Sequence, residues 1–459
     1  RRLHMTNDMT KGSPIKLILS FMVPLLIGNI FQQFYNMADT IIVGRTISVE
    51  ALAAVGATGS ISFLIVGFVQ GVTSGFAVIT AQRFGAGSEN GVRRSVATSI
   101  ILGIAVTIVM TAISVLAARP LLEIMKTPSD IIDDSYNYII VIFEGIAAAV
   151  FFNLFSSILR SLGDSKTPLV FLIIASIINI ILDPIMIFGY FGLPAMGAAG
   201  AAIATVIGQC IAASLAIYYN LKKNPDIQLS FKSFRPEGDV IGRILSIAVP
   251  SIAMVAVGSV MTYGFNRILF TFTPIAVSVF GIFYKVQSMA FMPVFGLNNG
   301  MIPIVSYNYG AKQPDRMLKA VKYTMMAAIC FMLLCLTAMQ VIPDLILKVF
   351  DAQEDMMAIG IPALRTMSIS FLFAGICIVC SGMFQALGKG VYSLIVSLAR
   401  QLIVLLPVAY AFAKFTRNLE LVWLSFPIAE VVSVILSIAM ALQTKKKIID
   451  PLKNSVKTV

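Results

Sequence analysis

Between Asn29 and Gly44 the chain reads NIFQQFYNMADTIIVG, which sets Asn29, Gln32, Gln33, Asn36 and Asp39 inside an apolar run that begins near Ile15. Positions 29, 32, 36, 39 and 43 fall three or four apart, so on a helix the polar members stack along one face. The run is long enough to cross a bilayer, which takes about 20 helical residues. A carboxylate at mid-membrane costs roughly 2.5–3.5 kcal/mol even on insertion scales, so it normally faces protein or a water-filled cavity. Asp39 therefore reads as a working residue rather than a structural carboxyl. A second constellation is Asn179-Ile-Ile-Leu-Asp183-Pro184, whose amide and carboxylate are four apart and share a helical face. Pro184 cannot donate to the carbonyl of Ile180, which frees a backbone oxygen one turn back. Asn153 and Thr205 add an amide and a hydroxyl from other apolar segments. Two carboxylates with neutral oxygen donors could hold Na⁺, a hard cation that prefers oxygen. They could equally share a proton, because desolvation and a neighbouring like charge both favour a protonated carboxyl.

The C-terminal half contains Lys285, Arg400 and Glu430 within apolar segments. Buried charges need partners, so a Lys285–Glu430 or Arg400–Glu430 pair is the structural reading, and a negative site for a cationic ligand is the functional one. Gln33, Asn36, Lys285 and Glu430 are the candidate ligand-contacting side chains. His4, the one histidine, lies in the N-terminal tail. That excludes histidine-ligated zinc, serine–histidine nucleophiles and intramembrane histidine relays. Cys377 and Cys380 form a C-x-x-C on an apolar helix, with no second pair to make it a metal site. No organic cofactor or resident metal is expected; the implied ion is H⁺ or Na⁺ at the carboxylates.

These residues must be positioned by membrane helices. Of 459 residues 58% are hydrophobic and 12% charged, with a mean hydropathy of +0.90. Apolar segments separated by short charged connections recur along the whole chain, which excludes a soluble enzyme and nucleic acid as a partner for the +12 net charge. The expectation is an all-α integral membrane protein with about twelve spans, near 15–43, 51–82, 93–118, 135–160, 167–188, 197–220, 240–270, 275–307, 317–342, 357–387, 391–413 and 419–443. The first apolar segment is too long for a cleavable signal peptide, and Arg1 to His4, which precede Met5, read as an expression remnant as readily as native sequence. Basic clusters alternate with acidic connections. Arg1, Arg2, Lys11 and Lys16 lie before the first span, and Arg83, Arg93 and Arg94 between the second and third. Lys222, Lys223, Lys232, Arg235 and Arg243 follow the sixth span, Lys312, Arg316, Lys319 and Lys322 the eighth, and Lys445 to Lys447 the twelfth. Asp130, Asp133, Asp134, Asp351, Glu354 and Asp355 fall on the other side, which places both termini in the cytoplasm of a bacterial plasma-membrane protein.

The chain also repeats. Gly56, Gly71, Gly75, Gly85, Ala86 and Gly163 are matched by Gly281, Gly296, Gly300, Gly310, Ala311 and Gly388, each 225 positions later (281−56 = 225). Leu19, Ser20 and Pro24 match Leu245, Ser246 and Pro250 with one residue of slip. Both six-span halves start on the same side, so the repeat is parallel and its two lobes are related by an axis along the membrane normal. The expected organisation is a tail (1–14), an N-terminal lobe (15–220), a linker (221–239), a C-terminal lobe (240–443) and a basic tail (444–459). Pro24, Pro184 and Pro250 are candidate hinges. The acids are unequally shared: the proposed ion ligands fall in the first half, and Glu430 lies 225 after Thr205.

Span number, twin lobes, Met37-Ala-Asp-Thr-Ile-Ile-Val-Gly44 and Leu159-Arg-Ser-Leu-Gly-Asp-Ser-Lys-Thr-Pro168 together resemble the multidrug and toxic compound extrusion (MATE) family over residues 10 to 445. In that family the first-span aspartate and a fifth-span Asn-x-x-x-Asp form a cation site in the N-terminal lobe. The resemblance implies those roles for Asp39, Asn179 and Asp183, assisted by Asn153 and Thr205. One branch carries a seventh-span glutamate and a tenth-span aspartate, which this chain lacks around Gly258, Tyr263, Asn266 and Ala374. The implied activity is antiport: organic cations or amphipathic drugs leave in exchange for Na⁺ or H⁺, through a monomer in the bilayer. The competing expectations are a lipid-linked saccharide flippase of similar build, an intramembrane aspartyl protease using Asp39 and Asp183, and a channel. The protease lacks a G-x-G-D sequence, and the flippase would call for more basic charge along its cavity.

Overall fold

The computed structural model describes residues 8–46, 49–229 and 234–457, without the side chains of residues 35–40, 43–46, 49–52, 57, 60 and 457. The side chains of Asn36 and Asp39, and all of Lys232, therefore lie outside the described residues. Helices α1 (Pro14–Thr46), α2 (Val49–Gly85), α3 (Glu89–Ile124), α4 (Ile132–Glu144), α5 (Ile146–Ser161), α6 (Lys166–Phe188) and α7 (Ala198–Tyr218) make the first half. The second half holds α8 (Gly238–Phe270), α9 (Pro274–Gly310), α10 (Pro314–Val341), α11 (Pro343–Val349), α12 (Glu354–Ser368), α13 (Ser370–Ala386), α14 (Gly390–Leu398), α15 (Leu406–Ala411), α16 (Leu419–Trp423), α17 (Ser425–Thr444) and α18 (Asp450–Lys457). No strand occurs among the described residues. Among the described residues ten helical stretches are long and apolar enough to cross a membrane. Two more spans are each broken, α4 to α5 bending by 42° and α12 to α13 by 43°. That gives the expected twelve.

The two breaks were not expected, and they occupy equivalent places, because Gly145 and Ile369 are 224 apart. At the first, a Cβ on Gly145 would meet Val206 Cγ2 at 2.6 Å, so glycine admits α7 at the bend. The eleventh span was expected as one helix. It contains π-helical turns at Ala399–Leu405 and Phe412–Thr416 on either side of α15. The repeat extends to backbone conformation. Left-handed φ values occur at Gly87 and Lys312, Lys126 and Asp351, Gly163 and Gly388, and Gly192 and Arg417, every pair 225 apart (388−163 = 225). Lys312 and Arg417 hold a conformation that costs an L-residue about 1 kcal/mol or more where the first repeat has Gly87 and Gly192, so the turn geometry is kept without the glycine at those sites.

The chain forms two compact units, unit 1 containing Val23–Leu245 and unit 2 containing Met9–Met22 with Ser246–Val459. Unit 1 thus includes the first turns of α8, and unit 2 the first turns of α1. Each insertion is met by a glycine. In unit 1 a Cβ on Gly75 would lie 2.7 Å from the Ile244 carbonyl; in unit 2 a Cβ on Gly300 would lie 3.2 Å from the Ile18 carbonyl. The chain changes unit two residues before Pro24 and five before Pro250, and both prolines are buried inside their helices.

Candidate functional site

In unit 1, α6 and α7 build the site through backbone contact. A Cβ on Gly200 would stand 2.6 Å from the Met186 carbonyl, and one on Gly208 would stand 2.9 Å from the Ala175 carbonyl. Buried Ala201 and Ala204 occupy the intervening positions. This G-x-x-x-A-x-x-x-G stripe lets two membrane helices meet without side chains between them. Thr205 is thereby brought to 3.1 Å from the Asn179 amide, which donates to its hydroxyl. The hydroxyl donates in turn to the Ala201 carbonyl at 3.1 Å.

Asn179 is 3% exposed and Asp183, one turn on, is 0%. Asn179 Oδ1 accepts no hydrogen bond among the described residues. A buried acceptor left unmade costs on the order of 1–3 kcal/mol. An oxygen-seeking cation, or a proton carried in with water, would relieve it, and an amide oxygen beside a carboxylate suits either. Asn153 spends its amide on the Ala149 carbonyl of its own helix, at 2.9 Å. The Asn179–Thr205 contact therefore forms without Asn153.

Helix α1 runs beside α6. Leu172 and Leu169 lie 3.1 and 3.5 Å from a Cβ on Gly28, and fourteen residues later Ile42 packs against the cluster of Ile187, Ala198 and Ala201. Residue 39 is one turn before Ile42, and Asp183 is one turn before Ile187. Of the other first-span candidates, Gln33 is exposed and Gln32 half-buried.

In unit 2 the corresponding helices carry different chemistry. Arg400, on the π-helical turn, places its Nη1 3.2 Å from Glu430 Oε1 on α17. The Glu430 side chain is 9% exposed and that of Arg400 26%. The Cys377 thiol lies 3.1 Å from the Ser433 hydroxyl. Of the two partners the sequence allowed for Glu430, the structure selects Arg400. Lys285 is exposed and joins no ion pair among the described residues. Val404 and Val408 stand 225 after Asn179 and Asp183, so the amide and carboxylate have no counterparts. With the one-residue slip of Pro24 and Pro250, the counterpart of Asp39 is Phe265. Its ring is fully buried, with centroids of Phe280, Phe426 and Trp423 at 4.8, 5.1 and 6.1 Å. The equivalents of those three in unit 1 are Val55, Ala201 and Ala198. Sequence reasoning missed both the small-residue stripe and this aromatic cluster. The four-residue spacing of Gly200, Ala204 and Gly208 was the available signal for the first.

Two repeated six-span units, with a buried oxygen-rich cluster in one and apolar or self-paired residues in the other, define a polytopic membrane protein of the transporter class. The sequence model of the MatE family matches the chain twice, over residues 24–185 and 250–411. The chain belongs to this family. Among curated relatives it is 27% identical to the probable multidrug resistance protein YoeA of Bacillus subtilis, over 94% of both chains. It is 25% identical to the probable multidrug resistance protein NorM of Thermotoga maritima, over 87% of this chain and 86% of that one. Among solved structures, one described as MATE in the bent conformation superposes with a TM-score of 0.89 at 25% identity, over 97% of this chain and 98% of the other. A transporter from Pyrococcus furiosus, described as having a binding pocket of reverse polarity that suggests a different function, gives a TM-score of 0.87 at 25% identity and the same coverage.

Proposed function

We propose that this protein is a cation-coupled antiporter that exports organic cations or amphipathic drugs by alternating access. The observation that carries the reading is the one-sided cluster of Asn179, Asp183 and Thr205, replaced in the other repeat by Val404, Val408 and the self-neutralised Arg400–Glu430 pair. Asp39 and Asp183 bind the coupling H⁺ or Na⁺, Asn179 and Thr205 orient it, and Asn153 lies at the edge of the site. Gln33, Asn36, Lys285 and Glu430 meet the substrate. Occupancy by the cation and by the substrate favour different conformations, which is the requirement for coupling. The relatives named as multidrug resistance proteins support export of drugs. The basic connections support a bacterial plasma membrane with both termini cytoplasmic, and the working form is a monomer. The deciding experiment is uptake of a fluorescent organic cation into proteoliposomes, with Na⁺ and pH gradients imposed separately. Accumulation driven by one gradient is expected, and uptake indifferent to both would reject coupled antiport.

A further inference from the structure

Three stretches far apart in sequence meet at one end of unit 2. Arg316, in the first turn of α10, donates to the carbonyls of Met9, Lys11 and Gly12 at 3.2, 3.1 and 2.9 Å. Asn308, near the end of α9, donates to the same Met9 carbonyl at 3.1 Å, and the Met9 side chain is fully buried. The residue beside Arg316 is Asp315, whose carboxylate takes the Lys453 ammonium of α18 at 2.9 Å. Two adjacent side chains thus tie the start of α1 and the C-terminal helix to the α9–α10 corner. The surface so assembled carries exposed Lys16, Lys312, Lys319, Lys445, Lys446 and Lys447. Among the described residues none of these six enters an ion pair.

The arginines at the matching corner of unit 1 are held differently. Arg83 and Arg94 both reach Glu237, at 3.3 and 2.9 Å, Arg93 lies 3.8 Å from Glu89, and Arg243 lies 3.2 Å from Asp239. There the four arginines are answered by carboxylates within the fold, whereas Lys222 and Lys223 are exposed and enter no ion pair among the described residues. In unit 2 the cations stand at the ends of membrane spans with only part of their charge answered.

We propose that this end of unit 2 is a binding surface for the headgroups of anionic phospholipids. Clusters of four to eight basic residues beside a span attract anionic lipid, and the attraction fades within a Debye length. Lysine suits the task, since its ammonium is a mobile point charge that meets a fluid layer of phosphates without fixed geometry. The lysines flank the ends of candidate membrane spans, which favours a lipid surface over a soluble polyanion. The inference does not depend on what the protein transports.

The test is thermal unfolding of the purified full-length chain in neutral detergent, titrated with phosphatidylglycerol or phosphatidylcholine. Phosphatidylglycerol is expected to raise the melting temperature and phosphatidylcholine to leave it. A variant with Lys312, Lys319, Lys445, Lys446 and Lys447 all changed to Gln should need ten-fold or more phosphatidylglycerol for the same rise. The same positions changed to Arg should respond like the parent. Salt should weaken the response, and glycerol phosphate at equal concentration should not reproduce it; an equal response to glycerol phosphate would identify a free-phosphate site and overturn the proposal. Equal responses to the two lipids would overturn it as well, as would loss of the response on changing Lys222 and Lys223 of unit 1 to Gln. If the Gln variant proves less stable at the outset, phosphatidylglycerol retained per molecule by native mass spectrometry decides the matter, and unchanged retention refutes the surface.

Discussion

The Arg400 guanidinium meets the Glu430 carboxylate at 3.2 Å, and Glu430 stands 225 positions after Thr205, the hydroxyl that accepts from Asn179. The same pair of spans is therefore bridged in both halves of the repeat, by a neutral contact in one and by opposite charges in the other. The difference continues around the site. Where unit 1 packs Val55, Ala198 and Ala201 with Ile187 and Ile42, unit 2 sets Phe280, Trp423 and Phe426 at the equivalent positions around Phe265. A duplicated fold has kept polar groups and small side chains in one copy. In the other it has placed rings there and paired the buried Glu430 with Arg400.

The Arg400–Glu430 pair should be needed for stability in a specific way. Removing one partner strands a buried charge, which costs about 3–5 kcal/mol, whereas replacing both with apolar groups is often neutral. Arg400→Met should lower the melting temperature sharply, and Arg400→Met with Glu430→Leu should recover most of the loss. If the single and double variants melt alike, the pair is not a unit. Binding of a cationic and a neutral dye to Glu430→Gln separates the substrate role: selective loss of the cationic dye is expected, and equal loss of both would leave only the structural one.

Gly200 and Gly208 should tolerate no side chain. A Cβ at either would meet a backbone carbonyl at 2.6 or 2.9 Å, and backbone cannot swing aside. Overpacking of this kind costs about 1–3 kcal/mol. Gly208→Val should lower the melting temperature and push α7 from α6, so that Thr205→Val, which removes the Asn179 partner, adds little to it. In the parent background Thr205→Val should weaken cation dependence of dye export while leaving the fold intact. Additive losses in the double variant would show that the two positions act separately.

Much of this fold was legible because a membrane leaves the backbone few choices. Apolar run length, the alternation of basic and acidic connections and the constant 225 offset supplied twelve helices in two repeats, and the four-residue spacing of Asn179 and Asp183 gave their shared face. Less legible were the breaks at Gly145 and Ile369, since the second has neither proline nor glycine to announce it. The π turn at Ala399–Leu405 was invisible for the same reason: one extra residue per turn follows from tertiary packing and leaves no mark in composition. Because that turn carries Arg400, sequence spacing alone left Lys285 and Arg400 as equal candidates for Glu430. Asn153 illustrates the converse limit, an amide that looked available and is occupied by its own helix.

Pro24 should govern the conformational balance. The chain passes from unit 2 to unit 1 at Met22 and Val23, and Pro24 follows with no N–H to give the Ser20 carbonyl. Pro24→Ala restores that bond and stiffens α1 at the crossing. The variant should insert and melt normally, yet cavity cysteines should label unequally from the two sides of the membrane compared with the parent. Identical labelling would remove Pro24 from the gating motion. Pro250→Ala tests the matching crossing in α8.

Asp39 and Asp183 should behave as one coupled unit. Helix α1 follows α6 from Gly28 beside Leu172 to Ile42 beside Ile187 and Ala198, and each aspartate position is one turn before the later contact. Two carboxylates that share a low-dielectric site would not both stay ionised without a cation, so the proposed unit should bind a proton or Na⁺. Asp39→Asn keeps size and hydrogen bonding and deletes the charge, so it should leave the melting temperature within a few degrees and abolish gradient-driven export. Asp183→Asn should do the same. If the two act as a unit, the double variant should be little worse than either single one, because the second substitution removes a group whose partner is already gone. Reconstituted vesicles supply the measurement, with dye accumulation followed against its gradient under an imposed Na⁺ or pH difference. Asp39→Asn vesicles that still concentrate dye at the parental rate would end the proposed mechanism, whatever the family relationship suggests.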